Sequence, residues 1–355
     1  MTKTKIAIAC QGGGTHTAFT AGVLKHLLDN DIQSKYQIVG LTGTSGGAVC
    51  ATATLYGLLK AANGSNETAY KTLVDFWYAN TPQSPAETFF AKTTDAFLRL
   101  AESGRVPTFP ANPYRTTPAL EAAMPLFERR EFLDFRALLE AHIDFEELRG
   151  LIDQDSPRLL LGAANILTGE FKAFDSWVPG EISVDAVLAS AAVPNIFEAV
   201  HIGDGVYWDG LFSQNPPVAQ LIKADFRKRP DEIWVILINP VTSDEEPKTP
   251  GAIADRRNEL AGNISLYQEL HFINSVNEWI EKGYFKAELS KKLKPVKIRV
   301  LQMSKQLSDS LNYWTKLSRD RKLIDTLIAD GESQAGAFLD DLGLTKKPSK
   351  VAHTA

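Results

Sequence analysis

The stretch Tyr36-Gln37-Ile38-Val39-Gly40-Leu41-Thr42-Gly43-Thr44-Ser45-Gly46-Gly47-Ala48-Val49-Cys50 decides the fold. Its apolar opening reads as a buried strand over residues 36–41, and the Ala- and Thr-rich segment after it reads as a helix over residues 48–59. Between them Gly43-Thr44-Ser45-Gly46-Gly47 fits the G-x-S-x-G pattern at a strand-to-helix turn, where that pattern has a mechanical meaning. The backbone is cramped there, so flanking glycines avoid clashes that a Cβ would cause. The helix N-terminus then faces any negative charge that develops beside the serine. The competing reading is a glycine-rich turn with Ser45 as a helix N-cap.

The same order appears upstream. Residues 6–9 read as a strand, Gly12-Gly13-Gly14 follows, and residues 18–28 read as a helix. The triplet lacks the spacing of a dinucleotide loop and the Gly-Lys-Ser/Thr ending of a P-loop. Consecutive glycines expose backbone N–H groups that can hold an anion, and beside a nucleophile turn that anion is an oxyanion; a purely structural turn is the alternative. Further strands are expected at residues 159–163, 170–174, 233–238 and 297–301, with helices over 184–192 and 253–282. Strands alternating with helices indicate an α/β fold with a central, mostly parallel sheet.

The organisation expected is one domain over residues 1–355, with a helical cap insertion at 64–147 and a mostly helical C-terminal extension at 250–345. The insertion carries Pro82, Pro85, Pro107, Pro110, Pro113 and Pro118, and aromatics at Phe76, Trp77, Phe89, Phe90, Phe97 and Phe109. Core packing is the first reading of these rings and a lipid-facing lid the second. The tail from Lys346 to Ala355 is polar and reads as frayed.

Composition narrows the function. The 355 residues are 44% hydrophobic and 23% charged, and the net charge of −5 gives no ground for nucleic-acid binding. Cys10 and Cys50 lie in apolar stretches and read as buried small residues, not as a disulfide or a metal site. No apolar run reaches the ~20 residues of a membrane span, and residues 6–10 are too short for a signal-peptide core, so a cytoplasmic protein is expected. Lys291, Lys292, Lys294, Lys297 and Arg299 form a basic cluster. It reads first as a solvated segment and second as transient contact with an anionic membrane at its inner face. Oligomeric state is left open.

A nucleophilic serine needs a proton acceptor. Of the histidines, His16, His26, His142, His201, His271 and His353, none stands in a late strand-end loop. His26 reads as a helix-surface residue and His201 as a satisfied structural one, while His16 flanks the glycine triplet. The stronger candidate is Asp209 in Val206-Tyr207-Trp208-Asp209-Gly210-Leu211, an acid at the end of an aromatic strand whose desolvation raises its basicity. An Asp-Gly pair taken alone is more often a turn.

Several separated motifs together resemble the patatin-like phospholipases: Gly12-Gly13-Gly14 with Ala21-Gly22-Val23-Leu24, Gly43-Thr44-Ser45-Gly46-Gly47, and Asp209-Gly210. Ala189-Ser190-Ala191-Ala192-Val193-Pro194 is similar to the family's segment before its catalytic acid. Phe76-Trp77, Tyr207-Trp208-Asp209-Gly210-Leu211 and Asn215-Pro216-Pro217 look like its bacterial intracellular branch. The resemblance covers residues 5 to about 240. It implies a three-layer α/β/α fold and a Ser45–Asp209 dyad with no third member. It implies an oxyanion hole from Gly12, Gly13 and Gly14 with Gly46, and esterase or phospholipase A activity on a lipid or other acyl ester with no metal or cofactor. The chain departs from the family in two places. His16 and Thr17 stand where it carries a basic residue and then glycine, and Leu211 stands where it carries Gly or Ala; both His16 and Leu211 are expected to shape the site. An acyltransferase or thioesterase, and a non-catalytic acyl-lipid-binding protein, are the alternatives.

Overall fold

The computed structural model describes residues 3–102, 112–223, 228–290 and 292–344. Pro107, Phe109, Pro110, Lys291 and the tail with His353 therefore lie outside the described residues. In chain order, β1 (Thr4–Cys10) leads through the glycine triplet to α1 (Ala18–Asp29), and β2 (Tyr36–Gly43) leads through Ser45 to α2 (Gly46–Ala62). Helices α3 (Lys71–Ala79), α4 (Pro85–Glu102), α5 (Pro113–Ala123), α6 (Phe135–His142) and α7 (Phe145–Leu151) follow. Then come β3 (Arg158–Asn165), β4 (Phe171–Asp175), α8 (Val184–Ser190), β5 (Val200–Ile202), β6 (Gly205–Asp209), α9 (Ala219–Ile222) and β7 (Glu232–Leu237). The chain closes with α10 (Pro250–Glu281), α11 (Ala287–Ser290), β8 (Lys297–Gln302), α12 (Lys305–Ser308) and α13 (Arg321–Asp341).

One eight-stranded sheet runs β5-β6-β3-β2-β1-β7-β8, with β4 paired to β3. Neighbours among β3, β2, β1, β7 and β8 are parallel, whereas β4, β5 and β6 pair antiparallel. The period-two alternation of a strand sends successive side chains to opposite faces. Ile6, Ile8 and Cys10 pack with α1, α2 and α13, while Ala7 and Ala9 pack with Val218, Leu221 and residues of α10. Both faces of the sheet are thus covered by helices, the three-layer α/β/α arrangement.

Helix α13 explains how the C-terminal residues join this core. Asp320 caps it by accepting from the Leu323 amide, and Ile324, Leu327, Ile328, Ala335 and Leu339 form its buried stripe. Its backbone lies directly on α1: a Cβ on Gly331 would sit 2.2 Å from the Phe19 carbonyl oxygen. Only glycine permits that approach, so Gly331→Val should lower unfolding stability by about 3 kcal/mol, read as a lower urea midpoint. A midpoint equal to wild type would show that the two helices part at no cost.

The helical segment is fastened by a buried ion pair. Glu87 of α4 is fully buried and meets Arg129 at 2.7 Å, and Arg129 also donates to the Ala79 and Thr81 carbonyls. Phe76 and Trp77 are buried, and Phe90 stacks edge-on against Phe127 and Phe132, as core packing requires. Phe89 and Phe97 depart from that expectation and are exposed. Phe89, two residues after the inward-turned Glu87, lies on the opposite face of α4.

Candidate active site

Register along β3 brings the two ends of the site together. Leu160 and Leu161 of β3 pair with β4, and Leu161 also pairs with Gly43, the last residue of β2. Further on, Ala163 pairs with β4 and also with Asp209, the last residue of β6. Strands β2 and β6 therefore lie along the same side of β3, run toward each other, and stop on either side of Gly162. Ser45 and Asp209, separated by more than a hundred and sixty residues of chain, meet in that gap.

Ser45 caps α2 at φ 57° and ψ −130°, a left-handed conformation that costs a non-glycine residue about 1–3 kcal/mol. The surroundings impose it. A Cβ on Gly46 would lie 2.1 Å from Thr17 Oγ1, and one on Gly47 would lie 2.2 Å from the Cys10 carbonyl oxygen. The turn after α8 then fixes both chain ends. Ser45 N–H donates to the Ser190 carbonyl at 3.0 Å, Asp209 N–H donates to the Ala192 carbonyl at 3.0 Å, and Ser190 Oγ donates to the Gly162 carbonyl at 2.6 Å.

Asp209 is fully buried. Its Oδ1 accepts from the Leu211 amide at 2.8 Å, whereas Oδ2 makes no hydrogen bond of ordinary geometry. Burial pushes its carboxyl up from 3.8 to about 7, against the smaller lowering effects of the Leu211 amide and of the Ser45 hydroxyl. The hydroxyl thus stands near enough to bias the carboxylate electrostatically without completing a strict hydrogen bond, a looseness usual in active sites without substrate.

The glycine loop is held from the far side. Gly12 N–H donates to Asn215 Oδ1 at 2.8 Å, and Asn215 Nδ2 donates to the Gly262 carbonyl of α10. Gln11 extends the tie: its Oε1 accepts from the Ile238 and Asn239 amides, and its Nε2 donates to Asn263 Oδ1. Among the described residues the amides of Gly13, Gly14 and Gly46 have no such acceptor.

A cavity of about 190 Å³ opens over this arrangement. Ser45, Asp209, Gly12, Gly13, Gly14, Gly46 and Leu211 all line it, together with Phe76, Trp77, Phe135 and Phe197. His16 does not line it. That ring is buried, bonds Thr315 Oγ1 at 2.7 Å, and lines a small neighbouring cavity. Burial, and then the charge of Lys316, holds His16 well below the usual imidazole range, so it is neutral. A larger and more open groove of about 1280 Å³ runs past Lys5, Gln37 and Trp177, at the end of the sheet opposite Ser45. Among the described residues no three His, Cys, Asp or Glu side chains converge to hold a metal ion.

The family model for patatin-like phospholipase matches residues 8–222, which contain Ser45, Asp209 and the glycine loop. This chain belongs to that family. Patatin-like phospholipases are lipid acyl hydrolases, which makes a lipid the substrate class. No curated protein matches the chain. Among solved structures it is similar to VipD from Legionella pneumophila at 12% identity and a TM-score of 0.43, covering 96% of this chain and 67% of that one. It is also similar to a chain of the heterodimeric ExoU-SpcU complex from the type III secretion system of Pseudomonas aeruginosa. There the identity is 14% and the TM-score 0.29, covering 96% of this chain and 59% of that one. Likenesses this loose leave the assignment to the sequence match.

Some neighbours of the patatin-like site carry no role in the sequence reading. Ser190 and Asn215 stand inside the motif stretches quoted above, yet only the structure assigns them hydrogen bonds. Lys316 and Arg319 line the cavity from beyond residue 222, where no motif marks them. His201, read as a satisfied structural histidine, is instead exposed on the edge strand β5. Cys10 and Cys50 are buried and free, and burial pushes the Cys50 thiol up to about 12.

Proposed function

We propose that this protein is a serine acyl hydrolase, a lipid esterase of the phospholipase A type, working through a Ser45–Asp209 dyad. The observation that carries the reading is Asp209: a fully buried carboxylate with one unpartnered oxygen, poised near neutrality beside a strained, glycine-flanked serine. Ser45 Oγ attacks the ester carbonyl while Asp209 takes its proton, and the carbonyl oxygen becomes an oxyanion. The amides of Gly13, Gly14 and Gly46 receive that oxyanion at the N-terminus of α2. Gly12, whose amide is committed to Asn215, holds the loop in place. Asp209 returns the proton to the leaving alkoxide, and the acyl chain remains as an ester on Ser45. Water, deprotonated by Asp209, then releases the acid and restores both residues.

Aspartate is ordinarily too weak a base for a serine hydroxyl. The rise toward 7 narrows the mismatch, and the oxyanion donors supply the rest. The rings of Phe76, Trp77, Phe135 and Phe197 suit an acyl chain. His16 then has a packing role, and His16→Ala should lower kcat/KM for a p-nitrophenyl ester less than about tenfold, through a loosened loop. A loss as large as that from removing Asp209 would make His16 a participant and end the two-residue mechanism.

The test of the overall reading is labelling by a fluorophosphonate probe together with hydrolysis of p-nitrophenyl esters of increasing chain length. Labelling at Ser45 with turnover supports it; neither labelling nor turnover points to a lipid-binding protein. Products formed with competing alcohols separate hydrolysis from acyl transfer. No helix among the described residues is long and apolar enough to cross a membrane. The proposed location is the cytoplasm, with transient contact at the inner membrane face through the exposed Lys292, Lys294 and Lys297.

A further inference from the structure

We infer that the Ser45 cavity contains an anion-binding subsite built by Lys316 and Arg319, so that the preferred ester carries a phosphate or carboxylate near its scissile bond. The inference rests on the acyl-hydrolase reading and narrows its substrate class.

Both cations come from one short segment wedged between the glycine loop and the helical cap. Thr15 Oγ1 donates to the Ser318 carbonyl, Ser318 Oγ donates to Asp95 of α4, and a Cβ on Gly14 would lie 2.3 Å from the Lys316 carbonyl oxygen. The segment is therefore fixed against the loop that borders Ser45, and both side chains line the same cavity as the dyad.

Neither cation has an acid of its own. Lys316 Nζ donates to the neutral amides Asn239 Oδ1 at 2.7 Å and Asn258 Oδ1 at 2.9 Å, and its third N–H has no acceptor among the described residues. Asp255 and Glu259 act on Lys316 electrostatically, but neither comes within ion-pair distance of it. Asp255 accepts from the Tyr313 amide, and Glu259 pairs with Arg256 at 2.9 Å. Arg319 donates to the Phe132 carbonyl and lies over the Phe132 ring, while Glu87, the acid on that side, is held by Arg129. Among the described residues no ion pair reaches either cation. Most other buried or half-buried cations here do have one, as Arg129, Arg158 and Arg299 illustrate.

A cation enclosed by protein without a counter-charge is costly unless an anion joins it. Burial lowers Lys316 to about 8 and Arg319 to about 10, outweighing the opposing effects of Glu259 and Asp255 on Lys316 and of Glu87 on Arg319. The two residues offer an ammonium and a planar guanidinium, donors suited to phosphate or carboxylate oxygens. With aromatic rings lining the same cavity, the ligand described is an amphiphile with an acyl chain and an anionic group.

The experiment compares esters with one acyl chain on glycerol phosphate, on glycerate and on glycerol, using wild type, Lys316→Met, Lys316→Arg and Arg319→Gln. Wild type should prefer an anionic ester over the neutral one by about tenfold or more in kcat/KM, mainly through KM. Lys316→Met should cut that ratio about tenfold and Lys316→Arg should restore most of it. Preference for phosphate over glycerate, or the reverse, identifies the anion. A wild-type ratio near one, or a ratio unchanged in Lys316→Met, overturns the subsite. Should Lys316→Met fail to fold, competitive inhibition of wild type by an alkyl phosphate, but not by an alkyl trimethylammonium of equal length, decides the matter. Failure of the enzyme reading looks different: no ester is turned over and the fluorophosphonate probe leaves Ser45 unlabelled.

Discussion

Ser45→Ala should lower hydrolysis of p-nitrophenyl esters by at least about 10³-fold at every acyl chain length, with the fold intact. Ser45 makes no side-chain capping bond to α2, so removing Oγ removes no stabilising contact of the turn. What is lost is the atom that forms the acyl-enzyme. The backbone remains at φ 57° because the neighbouring glycines, the Ser190 carbonyl and α2 set it. Ser45→Gly should be as inactive as the alanine variant yet more stable by about 1 kcal/mol, since glycine occupies that conformation without strain. Unfolding midpoints of the two variants, read beside their rates, separate chemistry from scaffolding. Full activity in Ser45→Ala would remove the nucleophile assignment altogether.

Much of this was legible from residues alone, for identifiable reasons. The strand-turn-helix around Ser45 is legible because an apolar run, glycines and an alanine-rich helix leave one economical reading. The buried strand over residues 233–238 is legible in its continuous apolar, β-branched run, since a strand covered on both faces has no polar positions. Distance in sequence hides the rest. That Asp209 stops across Gly162 from Gly43 depends on β3 pairing with β2 and then β6 along one side, which no local pattern states. Asn215 is visible in Asn215-Pro216-Pro217, but its grip on Gly12 exists only after the chain folds. Helix α13 is legible in the spacing of Ile324, Leu327, Ile328, Gly331, Ala335 and Leu339. Lys316 is opaque, because a lysine in a polar segment resembles every solvated lysine until a cavity forms around it.

Asp209→Asn should abolish turnover and, at neutral pH, stabilise the protein. Without a carboxylate nothing accepts the Ser45 proton, so the rate falls toward that of Ser45→Ala. The stability effect follows from the same burial. Desolvation raises the Asp209 carboxyl from 3.8 to about 7, so between those values the folded state binds a proton that the unfolded chain has released. Stability therefore falls as pH rises through this window. At about 1.4 kcal/mol per pH unit, the loss reaches up to about 4 kcal/mol above pH 7. Asparagine carries no charge to desolvate, and its Oδ1 still accepts from the Leu211 amide. The other carboxylates whose pKa burial raises, Asp95, Asp255 and Glu269, titrate in both proteins and cancel from the difference. Urea midpoints at pH 5 and pH 8 should thus show a variant advantage that grows with pH. In parallel, wild-type kcat/KM should climb through about pH 7 as Asp209 ionises. A stability difference independent of pH, with a rate already level at pH 5, would mean that Asp209 titrates as an ordinary carboxylate, and the desolvated base on which the mechanism depends would be gone.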